Sequence, residues 1–285
     1  MSKRHALRIA LVLAAALGWA VIPAAPATSA TSDTVAPPAS MSGLGDSITR
    51  GFNACGWFAD CTSRSWSTGS STSVDSHRNR IRAQNPDLTA YNDARSGAKI
   101  ADLAGQARTA ASRNVDYVTI LMGANDACAS SESSMTSVAD FESRFRAAMQ
   151  ELAAGIPQAS VFVASIPDLK RLWFVGKDSS SARTAWAAFD ICRSMLASPR
   201  STAAEDEARR DRVRQRVIDF NGVLARVCAE YSTCRYDGGA VFSYSFTLGQ
   251  LSTWDYFHPS TSGQRALAEV TYPVSQPGSP PVPAL

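Results

Sequence analysis

The 285-residue chain is 45% hydrophobic and 19% charged, with 28 Lys and Arg residues against 25 Asp and Glu residues. This composition excludes a disordered chain, a collagen-like repeat and a coiled coil, and the length suits one large domain or two small ones. The formal net charge of +3 favours an anionic partner only if the basic residues lie in the folded part of the chain.

The first 30 residues have the pattern of a secretory signal. Three basic residues precede an almost unbroken apolar run from Ile9 to Ile22, and small residues follow, with cleavage after Ala27 or Ala30. A membrane anchor is the alternative, but the run is shorter than the roughly 20 apolar residues that a membrane span needs. We therefore expect a signal peptide at residues 1–30 and a secreted protein.

Cleavage of this signal changes the charge balance of the chain. It removes three of the 28 basic residues and leaves 25, equal to the 25 acidic residues. Nucleic-acid binding normally needs a clustered basic excess, so we expect no nucleic-acid partner.

The remaining chain divides into a spacer (31–39), one globular domain (40–272) and a Pro-rich tail (273–285). Within the domain, short apolar runs alternate with segments of helical spacing. The predicted strands are 40–44, 88–92, 116–122 and 160–165. The predicted helices are 100–112, 138–154, 205–230 and 262–272. This alternation predicts an α/β fold, a three-layer α/β/α sandwich with a central, mostly parallel sheet of about five strands.

An exported chain meets oxidising conditions, so we expect its six cysteines to pair. Six cysteines allow fifteen connectivities, and the sequence alone does not decide between them. Closeness along the chain suggests the pairs Cys55–Cys61 and Cys228–Cys234, with Cys128–Cys192 remaining. The chain has no Cys-x-x-Cys sequence and only three histidines, so we expect no metal site.

Two histidines lie outside the signal, and their surroundings differ. His77 lies in a polar stretch of helical appearance, which favours a surface or structural role. His258 follows Asp255 by three residues in a loop before the last predicted helix. An Asp at this position can accept the Nδ1 proton and leave the other ring nitrogen free to act as a base. If the chain uses a Ser–His couple, His258 with Asp255 is the favoured pair.

The nucleophile candidate is Ser47, which follows the first predicted strand in the sequence Gly45-Asp46-Ser47. Alone, such a tripeptide is weak support, because about one chain of this length in twenty contains it by chance. Asp46 could be mistaken for the partner of His258. Adjacent side chains at the end of a strand point apart, so we expect Asp46 to brace the loop and Asp255 to orient the histidine.

Two other segments strengthen the assignment of Ser47. Gly97 follows the second strand, where its N–H can approach a ligand closely, and Asn125 follows the most apolar strand. Ester hydrolysis develops negative charge on the carbonyl oxygen and requires converging donors. The N–H groups of Ser47 and Gly97 and the Asn125 amide can supply three.

These segments resemble, in this order, the sequence blocks of the SGNH (GDSL-type) hydrolase superfamily, and the resemblance covers essentially the whole globular region. It implies that Ser47 is the nucleophile, that His258 is the general base and acid, and that Asp255 orients the histidine. It also implies an oxyanion hole formed by Ser47, Gly97 and Asn125. The resemblance implies no metal and no organic cofactor.

A closer likeness is to the phospholipase B-like branch and its secreted actinobacterial relatives. It rests on the segments 64–69, 96–99, 123–126 and 257–260. The Trp-Ser segment of that branch continues into Gly-Gly-Asp, whereas this chain has Gly69-Ser70-Ser71, which weakens the assignment of a lipid substrate.

The sequence therefore predicts a secreted serine esterase or lipase that acts on an acyl lipid or on a short- to medium-chain acyl ester. We expect a monomer, and transient contact with lipid aggregates is compatible with such substrates. Two alternatives are an acetyl esterase for carbohydrates and an inactive SGNH-like binding protein at the cell wall.

Six aromatic residues fall mainly in the predicted irregular connections, and they allow two interpretations, core packing or an acyl-binding wall. They are Trp57, Phe58, Trp66, Trp173, Phe174 and Trp186.

Overall fold

The predicted apolar strands form one sheet in which all neighbouring strands are parallel. The computed structural model of the protein describes residues 36–275, and the predicted signal therefore lies outside the described residues. The strands are β1 (Ser40–Gly45), β2 (Thr89–Asn92), β3 (Tyr117–Leu121), β4 (Ser160–Val163) and β5 (Cys234–Tyr236). Their order across the sheet is β2-β1-β3-β4-β5. This topology confirms the predicted α/β fold class.

The register brings the ends of the central strands together. β1 pairs with β3 from Met41 opposite Tyr117 to Gly45 opposite Leu121, and with β2 as far as Asn92. Because the strands are parallel, the residues that follow β1, β2 and β3 meet at one edge of the sheet. Ser47 follows β1, Gly97 follows β2 and Asn125 follows β3.

Ten helices surround the sheet in the described part of the chain. They are α1 (His77–Arg82), α2 (Ile100–Ser112), α3 (Ala124–Ala127), α4 (Val138–Gly155), α5 (Leu169–Gly176), α6 (Ser180–Ala188), α7 (Arg193–Leu196), α8 (Ala204–Cys228), α9 (Ala240–Ser243) and α10 (Thr261–Ser275). The four helices predicted from spacing are α2, α4, α8 and α10. The short helices α5 and α6 replace the irregular connection that we expected there.

Helices form the two outer layers of the fold. α4 packs between α2 and α8, and α2 also contacts β1. α1 and α10 meet through His77, which hydrogen-bonds to Thr271 of α10 and to Tyr117 of β3. The three-layer arrangement follows from strands that are apolar on both faces, since each face must be covered by helices.

The last helix is longer than predicted. α10 continues through Pro273 to Ser275, whereas the sequence places the beginning of an unpacked tail at residue 273. A proline in the last turn removes only one helical hydrogen bond. Val274 packs against the core, and its carbonyl accepts a hydrogen bond from Arg235 Nε at 2.5 Å. The tail beyond Ser275 lies outside the described residues.

The three disulfides of the structure are the pairs suggested by closeness along the chain. Cys55–Cys61 closes a short loop, Cys128–Cys192 joins two distant connections, and Cys228–Cys234 joins the end of α8 to the beginning of β5. Between residues 36 and 275, no helix is long and apolar enough to cross a membrane.

Candidate active site

Ser47 lies in the turn that follows β1. The end of this strand packs so closely on β3 that it leaves no space for a side chain at residue 45. Gly45 has φ +143°, and a Cβ on this residue would lie 2.2 Å from the carbonyl oxygen of Leu121. The Gly45 N–H donates to Gln106 Oε1 at 2.8 Å, and Gln106 Nε2 donates to the Gly45 carbonyl at 2.9 Å. This buried glutamine of α2 thus fixes the backbone two residues before Ser47.

The loop that holds Asp255 and His258 is closed at its base. Leu251 and Pro259 form an isolated antiparallel bridge, and the Ser252 N–H donates to the His258 carbonyl at 2.8 Å. Gln264 of α10 donates to the Ile48 carbonyl at 2.8 Å, which ties the helix after this loop to the turn that contains Ser47.

Ser47, His258 and Asp255 form a continuous hydrogen-bonded row. Ser47 Oγ lies 2.8 Å from His258 Nε2, and His258 Nδ1 lies 2.5 Å from Asp255 Oδ2. The carboxylate accepts the Nδ1 proton, so Nε2 is the acceptor for the Ser47 hydroxyl. This geometry suits removal of the hydroxyl proton as Ser47 attacks a carbonyl carbon.

Asp255 is buried and accepts hydrogen bonds on both oxygens. Its Oδ1 accepts from the N–H groups of Phe257 at 2.9 Å and His258 at 3.1 Å. Burial alone would raise the pKa of Asp255, but the hydrogen bond and charge of His258, together with these N–H groups, outweigh burial and lower this pKa below its ordinary value. Asp255 is therefore held as the carboxylate that an imidazolium requires.

Asn53 contacts the Asp255 carboxylate, although the sequence did not single this residue out. Its Nδ2 donates to Asp255 Oδ2 at 2.6 Å, across a sequence separation of 202 residues. Asn53 has φ +63°, and its N–H donates to the Ala59 carbonyl at 2.9 Å. Asn tolerates this left-handed conformation better than most residues, so an Asn shortly after Ser47 was the one available signal.

Asp46 braces the turn, as the sequence predicted, and does not contact His258. One carboxyl oxygen accepts the Ile48 N–H at 2.9 Å, whereas the other is buried without a partner in the described structure. Burial raises the pKa of Asp46 from 3.8 to about 7, although the Ile48 N–H and the charge of His258 both lower it. A buried titrating group therefore lies next to Ser47 in the chain.

The three proposed oxyanion donors lie on segments that are tied to one another. The Arg95 N–H donates to the Gly45 carbonyl at 3.2 Å, and Asn125 Nδ2 donates to the Ala98 carbonyl at 2.9 Å. In the described part of the chain, the N–H groups of Ser47 and Gly97 donate to no protein acceptor. Both N–H groups and the second Asn125 amide hydrogen are thus available to a ligand.

Gly97 suits a backbone donor at the surface. It has φ +79°, which favours glycine, and apart from its own two chain neighbours no residue has an atom within 4 Å of the position that a Cβ would occupy. A ligand can therefore approach this N–H without displacing a side chain.

His77 is a core residue rather than a surface one. Its Nδ1 lies 2.9 Å from Tyr117 Oη, and its Nε2 lies 2.7 Å from Thr271 Oγ1. Because Thr271 Oγ1 donates to the Leu267 carbonyl, His77 is neutral with its proton on Nε2. Burial lowers the pKa of His77 to about 3. His77 hydrogen-bonds to none of the proposed site residues and has a structural role.

A small pocket lies beside His258 and is open to solvent at its mouth. Its walls are almost entirely apolar, with Asp168 as the one acidic side chain. Helix α5, the connection between α9 and α10, and residues next to Ser47 and Asn125 form these walls. The lining residues are Ile48, Ala124, Pro167, Asp168, Leu169, Leu172, Val175, Phe246, Leu251, Phe257, His258, Pro259 and Leu267.

None of the six aromatic residues proposed for an acyl-binding wall lines this pocket. Trp66 and Trp186 are buried in the core, and Trp173 is partly buried with its Nε1 donating to the Pro199 carbonyl at 2.8 Å. Trp57, Phe58 and Phe174 are exposed. Besides Asp168 and His258, the pocket wall consists of aliphatic residues and two other phenylalanines, supplied mainly by α5 and the loop before α10.

Within residues 36–275, no cluster of three or more His, Cys, Asp or Glu side chains is arranged to hold a metal ion. The predicted Ser47, His258, Asp255, Gly97 and Asn125 all lie at the carboxyl edge of the sheet, or on loops tied to it by hydrogen bonds. Their catalytic roles stay predictions.

Comparison with known proteins gave a match to one family model. The model described as GDSL-like lipase/acylhydrolase matches residues 43–271. No curated protein matched the sequence significantly.

Several solved structures are similar to this chain at low sequence identity. An alpha/beta hydrolase enzyme from the metagenome of Lake Arreo, Spain, is 17% identical, with a TM-score of 0.53 over 83% of this chain and 94% of that chain. An acetyl xylan esterase from Geobacillus stearothermophilus is 15% identical, with a TM-score of 0.50 over 81% of this chain and 91% of that chain. An extracellular lipase from Streptomyces rimosus is 20% identical, with a TM-score of 0.46 over 81% and 97%. At these identities, the first two likenesses show the fold alone, and nothing further is drawn from the third.

Proposed function

Because the chain belongs to the GDSL-like lipase/acylhydrolase family and is a serine carboxylic ester hydrolase, we propose that it is a secreted esterase or lipase for acyl lipids or short- to medium-chain acyl esters. The observation that supports this proposal most strongly is the hydrogen-bonded row of Ser47, His258 and Asp255 beside an apolar pocket. The row suits acyl transfer, and the pocket suits the hydrocarbon part of an acyl group.

In the proposed first half-reaction, Ser47 Oγ attacks the ester carbonyl carbon while His258 Nε2 takes the hydroxyl proton. The imidazolium that forms is stabilised by the Asp255 carboxylate, whose Oδ2 lies 2.5 Å from Nδ1. Collapse of the tetrahedral intermediate breaks the ester C–O bond, and His258 gives its proton to the departing alcohol oxygen. The acyl group is then esterified to Ser47.

In the second half-reaction, water attacks the acyl-enzyme and His258 takes the proton of the water. Collapse releases the carboxylic acid, and the proton returns to Ser47 Oγ. In both steps the negative carbonyl oxygen requires donors, and the free N–H groups of Ser47 and Gly97 with the Asn125 amide are the available set.

The acyl chain is proposed to occupy the pocket beside His258. Leu172 and Val175 of α5 and Phe246 form one side of it, so extra methylene groups of a substrate would leave water there. Each buried CH₂ group is worth about 0.8 kcal/mol. We therefore expect kcat/KM for nitrophenyl esters to increase from the acetyl ester to medium-chain esters.

A Leu172→Trp variant tests this assignment of the pocket. The larger side chain would fill the pocket, so the kcat/KM of the octanoyl ester should fall by about tenfold or more, while that of the acetyl ester should stay within about twofold. Phe174→Trp is the matched control, because Phe174 lies on the same helix but is exposed and outside the pocket. Equal losses on both esters would contradict the assignment.

The alternative substrate class is an acetylated carbohydrate. It is distinguished by comparing turnover of acetylated xylan, a phospholipid and the nitrophenyl ester series by the same preparation. Faster turnover of acetylated xylan, with no gain from longer acyl chains, would favour the acetyl esterase and contradict the acyl-lipid proposal. An inactive binding protein would hydrolyse none of these substrates.

Secretion is proposed from the signal pattern at residues 1–30 and is supported by three disulfides in the folded part. Expression of the full chain in an actinobacterial host, followed by mass spectrometry of the culture supernatant, tests it. We expect a mature protein that begins after Ala27 or Ala30. Recovery of the protein from the cell pellet, with its first 30 residues still attached, would contradict secretion.

A further inference from the structure

Four of the five most exposed large hydrophobic side chains of residues 36–275 lie together beside the active site. They are Trp57, Phe58, Phe189 and Trp254, and each is about half exposed, between 48% and 58%. Together with the partly buried Phe52, we name them the aromatic rim. Scattered single hydrophobic residues need no explanation, but a contiguous exposed patch indicates an interaction surface.

Ring contacts join the rim to the catalytic histidine. The ring of Phe52 lies 4.9 Å from that of His258 and 5.0 Å from that of Phe58. Phe58 in turn stacks on Phe189 at 5.7 Å. The rim thus begins at the imidazole of the proposed active site and extends to the surface.

Covalent and polar contacts hold the rim in place. Trp57 and Phe58 lie in the loop closed by the disulfide Cys55–Cys61. Trp254 Nε1 donates to the Gly56 carbonyl at 2.7 Å, which ties the His258 loop to this disulfide loop. A surface fixed in this way loses little conformational freedom when it binds.

The rim is nearly neutral in charge. Asp60, at the edge of the disulfide loop, pairs with Arg50 at 2.8 Å, and Asp190, next to Phe189, pairs with Arg193 at 3.0 Å. A binding surface formed by Trp and Phe, with charged neighbours of both signs, does not select strongly for anionic partners. Trp residues are typical of the boundary between water and hydrocarbon.

We propose that the aromatic rim docks the enzyme on a zwitterionic lipid surface, so that an ester in that surface reaches Ser47 without crossing bulk water. This inference rests on the proposed function, because an acyl lipid is the substrate that such a surface would present. The position of the rim selects the occupant: a protein covering residues that contact His258 would obstruct the site, whereas a lipid layer supplies its substrate.

The test uses the mature chain with Ser47→Ala, which removes hydrolysis from the binding measurement. We expect it to co-sediment with phosphatidylcholine vesicles, and the binding should change less than about twofold between 0.05 and 0.5 M NaCl. Adding Trp57→Ser and Phe58→Ser should weaken vesicle binding by about tenfold or more. Phe174→Ser is the matched control, with equal exposure on α5 outside the rim, and should leave binding within about twofold.

The same rim substitutions in the active enzyme separate docking from chemistry. Activity on soluble nitrophenyl acetate should stay within about twofold, while activity on vesicle-embedded ester should fall by about tenfold or more. Vesicle binding that the rim substitutions leave unchanged, or that salt abolishes, would overturn the proposal of a zwitterionic lipid surface as the partner. A rim-dependent change in the sedimentation coefficient without lipid would identify a second copy as the occupant and overturn it too. Vesicle binding without any ester hydrolysis would instead contradict the proposed function and leave the docking surface standing.

Discussion

Asn125 is the one side chain among the three proposed oxyanion donors, so substitution tests it directly. Its amide already donates to the Ala98 carbonyl at 2.9 Å, which leaves one hydrogen for a substrate. Asn125→Ala should lower kcat by roughly 10²–10³, the usual cost of one oxyanion donor, with little change in thermal stability. Steady-state kinetics on nitrophenyl esters measure it. An unchanged kcat in a folded variant would remove Asn125 from the mechanism.

Asn53 acts through Asp255 and is therefore a positioning residue. Asn53→Ala removes the donor 2.6 Å from Asp255 Oδ2 and leaves His258 as the only partner of that oxygen in the described structure. We expect kcat to fall by about tenfold. We also expect the acid limb of the pH–rate profile to move to higher pH, because a carboxylate that loses a donor stabilises the imidazolium more strongly.

The control for Asn53→Ala is Ser252→Ala. Ser252 lies in the loop that holds Asp255, and its Oγ contacts the Asn53 carbonyl at 3.5 Å. This substitution leaves the hydrogen bonds of the Asp255 carboxylate in place. A merely structural role of Asn53 would lower stability and leave the pH profile in place. Coincident profiles of Asn53→Ala and the wild type would contradict the positioning role.

Asp46 makes stability depend on pH with a definite sign. Its pKa is about 7 in the folded state against 3.8 ordinarily, so its contribution to stability is fully present below about pH 3.8 and is lost as pH rises to about 7. The free energy of unfolding of Asp46→Asn, relative to that of the wild type, should therefore increase as the pH rises from 4 to 8. The gain is up to a few kcal/mol, at about 1.4 kcal/mol per pKa unit.

Urea unfolding at pH 4 and pH 8 measures this difference. His77 provides the opposite case, because burial lowers its pKa from 6.5 to about 3, and its contribution is lost as pH falls through that range. Both proteins in the comparison keep His77, so its term cancels. A stability difference between Asp46→Asn and the wild type that does not change with pH would contradict a buried titrating Asp46.

The long periodic helices and the short apolar strands β1 to β4 were predictable, whereas β5 and the short helices were not. The spacing of apolar residues gave α2 with the observed bounds, and α4 and α8 to within two residues. β5 is three residues long and partly buried, so it has no apolar run to reveal it. The short helices α5 and α6 lie in a stretch that we read as irregular.

The same limit applies to the residues of the site. Ser47, Gly97, Asn125 and His258 each follow a predicted strand or precede a predicted helix, so topology brings them together. Residues that fix the site by distant polar contacts, such as Gln106 with Gly45 and Gln264 with Ile48, are separated by 61 and 216 residues. No local pattern predicts such pairs, although a Gln on the apolar face of a helix, as at Gln106, is a signal.

The Cys128–Cys192 disulfide connects elements that are distant along the chain. It closes a loop of 64 residues, whereas Cys228–Cys234 spans six. Loop entropy predicts a loss of about 4 kcal/mol when the long loop is opened and about 2 kcal/mol for the short one. We compare two double variants, Cys128→Ala/Cys192→Ala and Cys228→Ala/Cys234→Ala. The first should have the lower free energy of unfolding. Equal losses in chemical unfolding would contradict this ranking.

For the whole molecule, the net charge of +3 belongs to the first 30 residues, because three basic and no acidic residues lie there. The rest of the chain is balanced, and ion pairs such as Arg212–Glu132 and Arg146–Glu230 distribute both signs over the helices. Long-range attraction to an anionic substrate therefore plays little part. Substrate selection is expected to depend on the apolar pocket and the aromatic rim.

Ser47 is the proposed nucleophile of an acyl-enzyme, and covalent labelling with a fluorophosphonate probe tests this role. The mature protein should gain the mass of one probe adduct, and peptide mapping should place that adduct on Ser47. Ser47→Ala and His258→Ala should gain no adduct, because one lacks the nucleophile and the other lacks the base. An unlabelled folded wild-type protein, or an adduct on another serine, would rule out Ser47 as the nucleophile.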